Sequence, residues 1–126
     1  MSKSKTSYNK AKTSIKNWIL EIDKTEQIPA DIIAFSFNLY EPYGIELVGT
    51  KWFDEENEDW ACDEEYRPQQ KTCPNFTMPD DSEWEEVLEI VTKVLKELSS
   101  ELSETQIFKR KHIATGFVDG DLVLIK

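Results

Sequence analysis

Apolar residues recur every three or four positions in two parts of the chain, a spacing typical of amphipathic helices. The first stripe consists of Tyr8, Ala11, Ile15, Trp18, Ile19 and Ile22. Thr6 or Ser7 precedes it and can act as the N-cap. The second stripe consists of Trp84, Val87, Leu88, Val91, Val94, Leu95, Leu98 and Leu102. Ser82 and Glu85 have the spacing of a capping box, so we predict a helix over residues 82–102.

Strand patterns occupy the middle of the chain. Residues 32–40 and 45–53 are rich in β-branched and aromatic side chains, which favour strands. The turn between them contains a proline and a glycine, so the two segments predict a hairpin. Residues 60–66 predict a third strand, with Trp60 and Cys62 pointing inward.

The C-terminal part predicts a second hairpin and completes a fold class. Asp119 and Gly120 lie between two apolar runs, and this pair suits a turn that needs two positive φ angles. The predicted order is α-β-β-β-α-β-β, an α+β fold whose antiparallel sheet has two amphipathic helices packed on one face. The length of 126 residues fits a single domain, 1–126, with a disordered start at residues 1–6.

The charge of the chain excludes several classes of partner. There are 15 Lys and Arg against 25 Asp and Glu, a formal net charge of −10. This balance argues against nucleic acid and anionic membranes as partners, because both need basic side chains. The basic cluster at residues 109–112 is too short for a nucleic-acid patch and is expected to be a solvated strand start or helix end. No apolar run approaches the roughly 20 residues that span a bilayer, and no signal peptide is apparent, so we expect a cytoplasmic protein.

Side chains that commonly carry catalysis or bind metals are sparse. Four glycines are too few for a phosphate-binding loop, and His112 is the single histidine. Cys62 and Cys73 are separated by ten residues, whereas zinc ligands within a pair are two to four apart. We expect Cys62 to be buried, Cys73 to lie in a loop and both thiols to be reduced. The sequence therefore predicts no catalytic residue, no metal ligand and no cofactor.

Acidic residues are concentrated in residues 41–65, which hold ten acids and one lysine, with six aromatic residues in or beside them. Eight of these acids fall within residues 54–65, and like charges this close repel one another, so we expect the fold to gain nothing from holding them together. Either the acids keep the protein soluble, or they form the rim of a binding surface for a basic partner, with aromatic anchors. The candidate partner-binding residues are Asp54, Glu55, Glu56, Glu58, Asp59, Asp63, Glu64 and Glu65.

Three segments carry a family resemblance. YEPYGIELVG at 40–49, DWACDE at 59–64 and GFVDGDL at 116–122 resemble small acidic immunity proteins of bacterial polymorphic-toxin and contact-dependent inhibition systems. Such proteins are compact cytosolic α+β proteins that bind and neutralise one toxin domain. The resemblance implies a stoichiometric inhibitor that is not an enzyme. It also implies a basic toxin partner, for example a nuclease domain, and it assigns no individual interface residue.

Two other function classes stay open. A small subunit or adaptor would use its apolar helix stripe within a larger assembly. A carboxylate-dependent hydrolase would use a pair of acids, of which this chain has many.

Overall fold

The computed structural model describes residues 3–79, 81–117 and 120–126. Within these residues the helices are α1 (Lys3–Thr25) and α2 (Trp84–Glu101). The strands are β1 (Ala34–Tyr40), β2 (Gly44–Thr50), β3 (His112–Phe117) and β4 (Val123–Leu124). A short 3-10 helix spans Glu58–Cys62. The predicted α+β class is confirmed. In these ranges no helix is long and apolar enough to cross a membrane.

The strands form a mixed sheet in the order β2-β1-β3-β4. β1 pairs with β2 in an antiparallel hairpin that places Phe37 opposite Leu47, and β3 pairs with β4 in the same sense. The central strands β1 and β3 are parallel, with Phe37 opposite Thr115. The prediction of an antiparallel sheet is therefore wrong at its centre. Turn signals specify only strands adjacent in sequence, whereas β1 and β3 are joined through α2, the long crossover that parallel pairing requires.

One face of the sheet shares its core with both helices. Phe35, Phe37 and Leu39 of β1 are fully buried in this core. Trp18 of α1 meets Phe37 edge to face, with ring centroids 6.0 Å apart. The buried residues of α2 are Val87, Ile90, Val91, Val94, Leu95 and Leu98. These contacts agree with the predicted packing of two helices on one face.

The other face of the sheet is covered by the 3-10 helix. Ala34 and Ala114 lie on this face and form a second cluster with Trp60 and Ala61. The small alanine side chains leave room for a large ring, and the Trp60 side chain is only 1% exposed. Burial of a tryptophan removes a large apolar area from water, so this contact fixes the 3-10 helix on the sheet.

The third strand predicted over residues 60–66 is therefore wrong. The Asn57 side chain accepts the backbone N–H of Asp59 at 3.0 Å and caps a helical turn where strand pairing was expected. The helical turn also changes which side chains point inward, and Cys62 is exposed rather than buried. Cys73 lies outside the helices and strands, as predicted, and is buried.

The start of α2 differs from the predicted capping box. The N-cap is Glu83 rather than Ser82, and the Glu83 side chain makes no capping hydrogen bond. Trp84 is the first residue of the helix and is 50% exposed, although its spacing places it in the apolar stripe. The stripe is buried only from the second helical turn onward, because the first turn extends beyond the core.

The ends of the chain also differ in part from the expectation. α1 begins at Lys3, so the predicted caps lie inside the helix. Residues 3–6, predicted to be disordered, are helical, and residues 1 and 2 lie outside the described chain. The second hairpin is present as β3 and β4. Its predicted turn contains Asp119, which also lies outside the described residues.

Leu95 provides a test of this core. Replacing Leu95 with Asp places an unpaired charge among buried side chains of α2 and should lower the free energy of unfolding by about 3–5 kcal/mol. Leu20→Asp is the control, because Leu20 is 40% exposed and its replacement should cost only about 1 kcal/mol, from the helix propensity of Asp and its position towards the C-terminal end of α1. Chemical denaturation of both variants measures the difference. Equal stability of Leu95→Asp and the wild type would contradict the buried stripe.

Candidate partner-binding surface

The acidic segment, residues 54–65, follows β2 and crosses the second face of the sheet. The ring of Trp60, within this segment, is buried against the sheet. Phe53 packs on Trp60, with ring centroids 5.1 Å apart. Phe53 also stacks face to face on His112 of β3, with centroids 3.8 Å apart. Asn38 donates a side-chain N–H to the carbonyl of Ala61 at 3.2 Å. The segment is thus attached to the sheet by a buried ring and by hydrogen bonds.

The predicted site residue Glu65 anchors the C-terminal end of the segment. Its Oε1 accepts the Thr50 hydroxyl at 2.6 Å and the backbone N–H of Lys51 at 2.7 Å. The Thr50 hydrogen bond, followed by that from Lys51, lowers the pKa of Glu65, and these bonds outweigh the opposing effect of desolvation. This carboxylate therefore has a structural role at the end of β2.

Four more predicted site residues make hydrogen bonds or ion pairs with other parts of the chain. Asp63 accepts the indole N–H of Trp52 at 2.7 Å, and Glu58 accepts the backbone N–H of Leu122 at 3.1 Å. Asp54 accepts the backbone N–H two residues along the chain at 2.8 Å. Glu64 forms an ion pair with Lys71. The expectation that the fold gains nothing from this cluster is wrong, since five of the eight carboxylates make such contacts.

The remaining three carboxylates belong to Glu55, Glu56 and Asp59, which we call the free acids. All three residues are exposed. Their side chains make no hydrogen bond or ion pair with any residue in the described part of the chain. The fold therefore leaves the free acids exposed to solvent on a segment that is attached to the sheet. Whether a partner binds them remains a prediction.

The aromatic residues of residues 40–66 do not gather around the free acids. Trp60 is buried, whereas Trp52 and Phe53 are half-buried beside the segment. Tyr66 packs on the helix side, edge to face with Phe35 at 6.2 Å, and donates its hydroxyl to Glu26. Burial and the carboxylate of Glu26 raise the pKa of Tyr66. The predicted combination of aromatic and acidic residues is therefore divided between different parts of the surface.

Tyr43 lies in another aromatic group that the sequence did not single out. It meets Phe117 with ring centroids 6.1 Å apart, and Phe117 meets Trp84 at the same separation. Trp84 fits the apolar stripe of α2, so its spacing alone indicates a core position. The only distinguishing signal in the sequence is its place between Glu83 and Glu85 at the start of the helix.

The basic cluster at residues 109–112 is partly structural rather than a solvated end. Arg110 donates to the carbonyls of Ile32, Gln106 and Pro29, at 2.6 to 3.1 Å. Its guanidinium therefore ties the connection before β1 to the turn before β3.

The two cysteines and the acids do not assemble into a metal site within the described residues. There, no group of three or more His, Cys, Asp or Glu side chains is arranged to hold an ion. Burial raises the pKa of the Cys73 thiol to about 12, so this thiol stays protonated at neutral pH. The absence of a metal and a cofactor remains a prediction from the sequence.

Comparisons of the chain with protein families, with curated proteins and with solved structures found no match. The resemblance to immunity proteins thus rests on three sequence segments alone. Any further support for that function comes from the contacts and charges of the surface described above.

The hydrogen bonds of Glu65 predict a specific pH dependence of stability. A folded-state pKa below the ordinary value of 4.5 stabilises the protein above that value, and the stabilisation is lost as the pH falls through the folded pKa. Glu65→Gln lacks this contribution. Its denaturation midpoint should lie below that of the wild type at pH 7, and the difference should shrink as the pH falls below 4.5.

Glu55→Gln is the control for this measurement, since it removes a carboxylate with no hydrogen-bond partner among the described residues. It should unfold in parallel with the wild type across the same pH range. A midpoint difference for Glu65→Gln that is constant with pH would contradict a structural role of the ionised carboxylate.

Proposed function

We propose that this protein is a cytoplasmic immunity protein that neutralises one basic toxin domain by stoichiometric binding. The free acids are the centre of the proposed contact. One observation supports the proposal. The segment is attached to the fold by the buried Trp60 and by contacts of five carboxylates, whereas Glu55, Glu56 and Asp59 are exposed. The proposed activity is occlusion of the partner and involves no catalysis.

Physical arguments connect this surface to a basic protein partner. A negative surface steers a positively charged partner and raises association rates by about 10 to 1,000-fold at low salt. A segment that is ordered before binding avoids the entropy cost of ordering a flexible loop. The net charge of −10 extends the same field over the whole protein. An inhibitor that must reach a toxin before the toxin acts benefits from both effects.

The buried stripe of α2 supports this proposal over an adaptor that binds through the helix. Val91, Val94 and Leu95 are fully buried against the sheet and α1. An assembly that used this stripe would first have to expose the core. The surface acids need no such rearrangement.

The partner can be identified with a tagged copy of this protein expressed in its native host. The proposal predicts a captured protein that is basic, inhibits growth when expressed alone and is neutralised by an equimolar amount of this chain. A captured protein that is acidic, or that leaves growth unaffected, would contradict the proposal.

The role of the free acids is tested with a triple variant, Glu55→Gln, Glu56→Gln and Asp59→Asn. The association rate constant with the captured partner should fall about tenfold or more at low salt, because steering is lost. The melting temperature should stay the same or rise, because repulsion between neighbouring carboxylates is relieved. Stopped-flow mixing and thermal unfolding measure the two effects.

A control with the same change in net charge separates local from global electrostatics. Glu21→Gln, Glu89→Gln and Glu104→Gln remove three exposed carboxylates outside the acidic segment. This control should lower the association rate by less than about threefold. Equal losses for the two triple variants would show that net charge alone matters and would place the contact elsewhere.

A further inference from the structure

A second surface combines exposed aromatic rings with carboxylates, at the start of α2. Trp84 is 50% exposed, which is unusual for the largest apolar side chain. Its ring meets Phe117 of β3 edge to face, with centroids 6.1 Å apart and planes at 84°. Phe117 in turn meets Tyr43 at 6.1 Å and 70°. The three rings therefore form a continuous aromatic group that leaves Trp84 open to solvent.

The aromatic group is held in place from below. Tyr43 donates its hydroxyl to the carbonyl of Ser82 at 2.9 Å, which connects the turn after β1 to the residues before α2. Tyr43 and Phe117 are half-buried and pack against the main core. Rings that are fixed by packing lose little side-chain entropy when they bind a partner.

Carboxylates lie next to these rings along the chain. Glu83 and Glu85 flank Trp84 in the chain, and Glu41 lies two residues before Tyr43. Burial raises the pKa of Tyr43, and the charges of Glu41, Glu83 and Glu85 raise it further. None of the three forms a hydrogen bond or ion pair with a described side chain. We call these six residues the Trp84 patch: Glu41, Tyr43, Glu83, Trp84, Glu85 and Phe117.

The local charge of the Trp84 patch is negative overall. The N-terminus of α2 contributes roughly half a positive charge, whereas Glu41, Glu83 and Glu85 contribute three negative charges. A cation near the patch is attracted both by these carboxylates and by the electron-rich face of the Trp84 ring. An anion would be repelled by the carboxylates and by the ring face, and a neutral apolar group would gain neither of these electrostatic attractions.

We propose that the Trp84 patch binds an arginine side chain of the basic partner protein, an inference that rests on the proposed function. A guanidinium is planar, so it stacks on the exposed indole of Trp84 while its N–H groups donate to the neighbouring carboxylates. A lysine ammonium lacks this stacking surface and is more strongly hydrated. Tryptophan, tyrosine and arginine are also the residues in which binding energy is most often concentrated at interfaces.

The Trp84 patch and the free acids have different roles in this scheme. The free acids have no exposed ring of their own at the contact and act mainly through long-range attraction, which affects the association rate. The patch offers a short-range contact with an exposed ring that a bound side chain would cover, which affects the dissociation rate. A variant of each surface therefore changes a different rate constant.

The site is tested on the isolated protein with the peptide acetyl-Gly-Arg-Gly-amide. In nuclear magnetic resonance titrations, millimolar peptide should shift the indole N–H resonance of Trp84, which is assigned as the indole signal missing from Trp84→Phe. The same peptide with citrulline, which keeps the shape and removes the charge, should shift it at least about tenfold less at equal concentration. The lysine peptide should bind more weakly than the arginine peptide.

Two variants make the test specific. The triple variant Glu41→Gln, Glu83→Gln and Glu85→Gln should weaken binding of the arginine peptide about tenfold or more. Leu20→Ala removes another exposed apolar side chain and should leave binding unchanged. Equal shifts with the arginine and citrulline peptides, or no loss in the triple variant, would overturn the proposed site.

The result separates the site from the proposed function. With the captured toxin, Trp84→Ala should raise the dissociation rate constant at least tenfold while the melting temperature stays within about two degrees of the wild type. Peptide binding without any toxin partner would contradict the proposed function and retain the cation site. A toxin complex whose dissociation rate is unchanged in Trp84→Ala would retain the proposed function and reject the patch as its contact.

Discussion

The burial of Trp60 against the second face of the sheet is the interaction on which the candidate surface depends. A sheet has two faces, and both helices of this protein share their core with the same one. The opposite face, with Ala34 and Ala114, must be covered by another part of the chain. The covering part is the most acidic stretch of the sequence, and it stays in place because one indole ring is 1% exposed beneath it.

This constraint explains how a dense group of carboxylates is compatible with a stable fold. Five of them accept hydrogen bonds or form ion pairs with donors of the segment or its neighbours, such as the indole N–H of Trp52 and the hydroxyl of Thr50. The hydrogen bonds offset part of the repulsion, since charge-assisted bonds are stronger than neutral ones. The other three carboxylates are left without a structural partner among the described residues. Within one segment, five carboxylates therefore stabilise the fold, and the other three are available to bind a partner.

The sequence predicts the elements better than it predicts how they are combined. Helical spacing identifies α2, and alternation identifies β1 and β2, because each pattern arises from contacts local to the element. The parallel pairing of β1 with β3 depends on residues about 80 positions apart, which no local pattern encodes. The 3-10 helix is missed because its acids and Trp60 also fit a strand. The Trp84 patch is missed because Trp84 has the spacing of a core residue, and its exposure depends on where the helix begins.

Amide hydrogen exchange of the acidic segment tests most directly whether it is ordered before any partner binds. The backbone N–H of Asp63 donates to the carbonyl of Trp60. Those of Glu65 and of the next residue, Tyr66, donate to the carbonyl of Gly49, and all three bonds measure 3.0 to 3.2 Å. In the isolated protein these three amides should exchange at least about a hundredfold more slowly than in an unstructured peptide. Exchange at the unstructured rate, while the amides of β1 and α2 remain protected, would show a flexible acidic loop and would contradict the account.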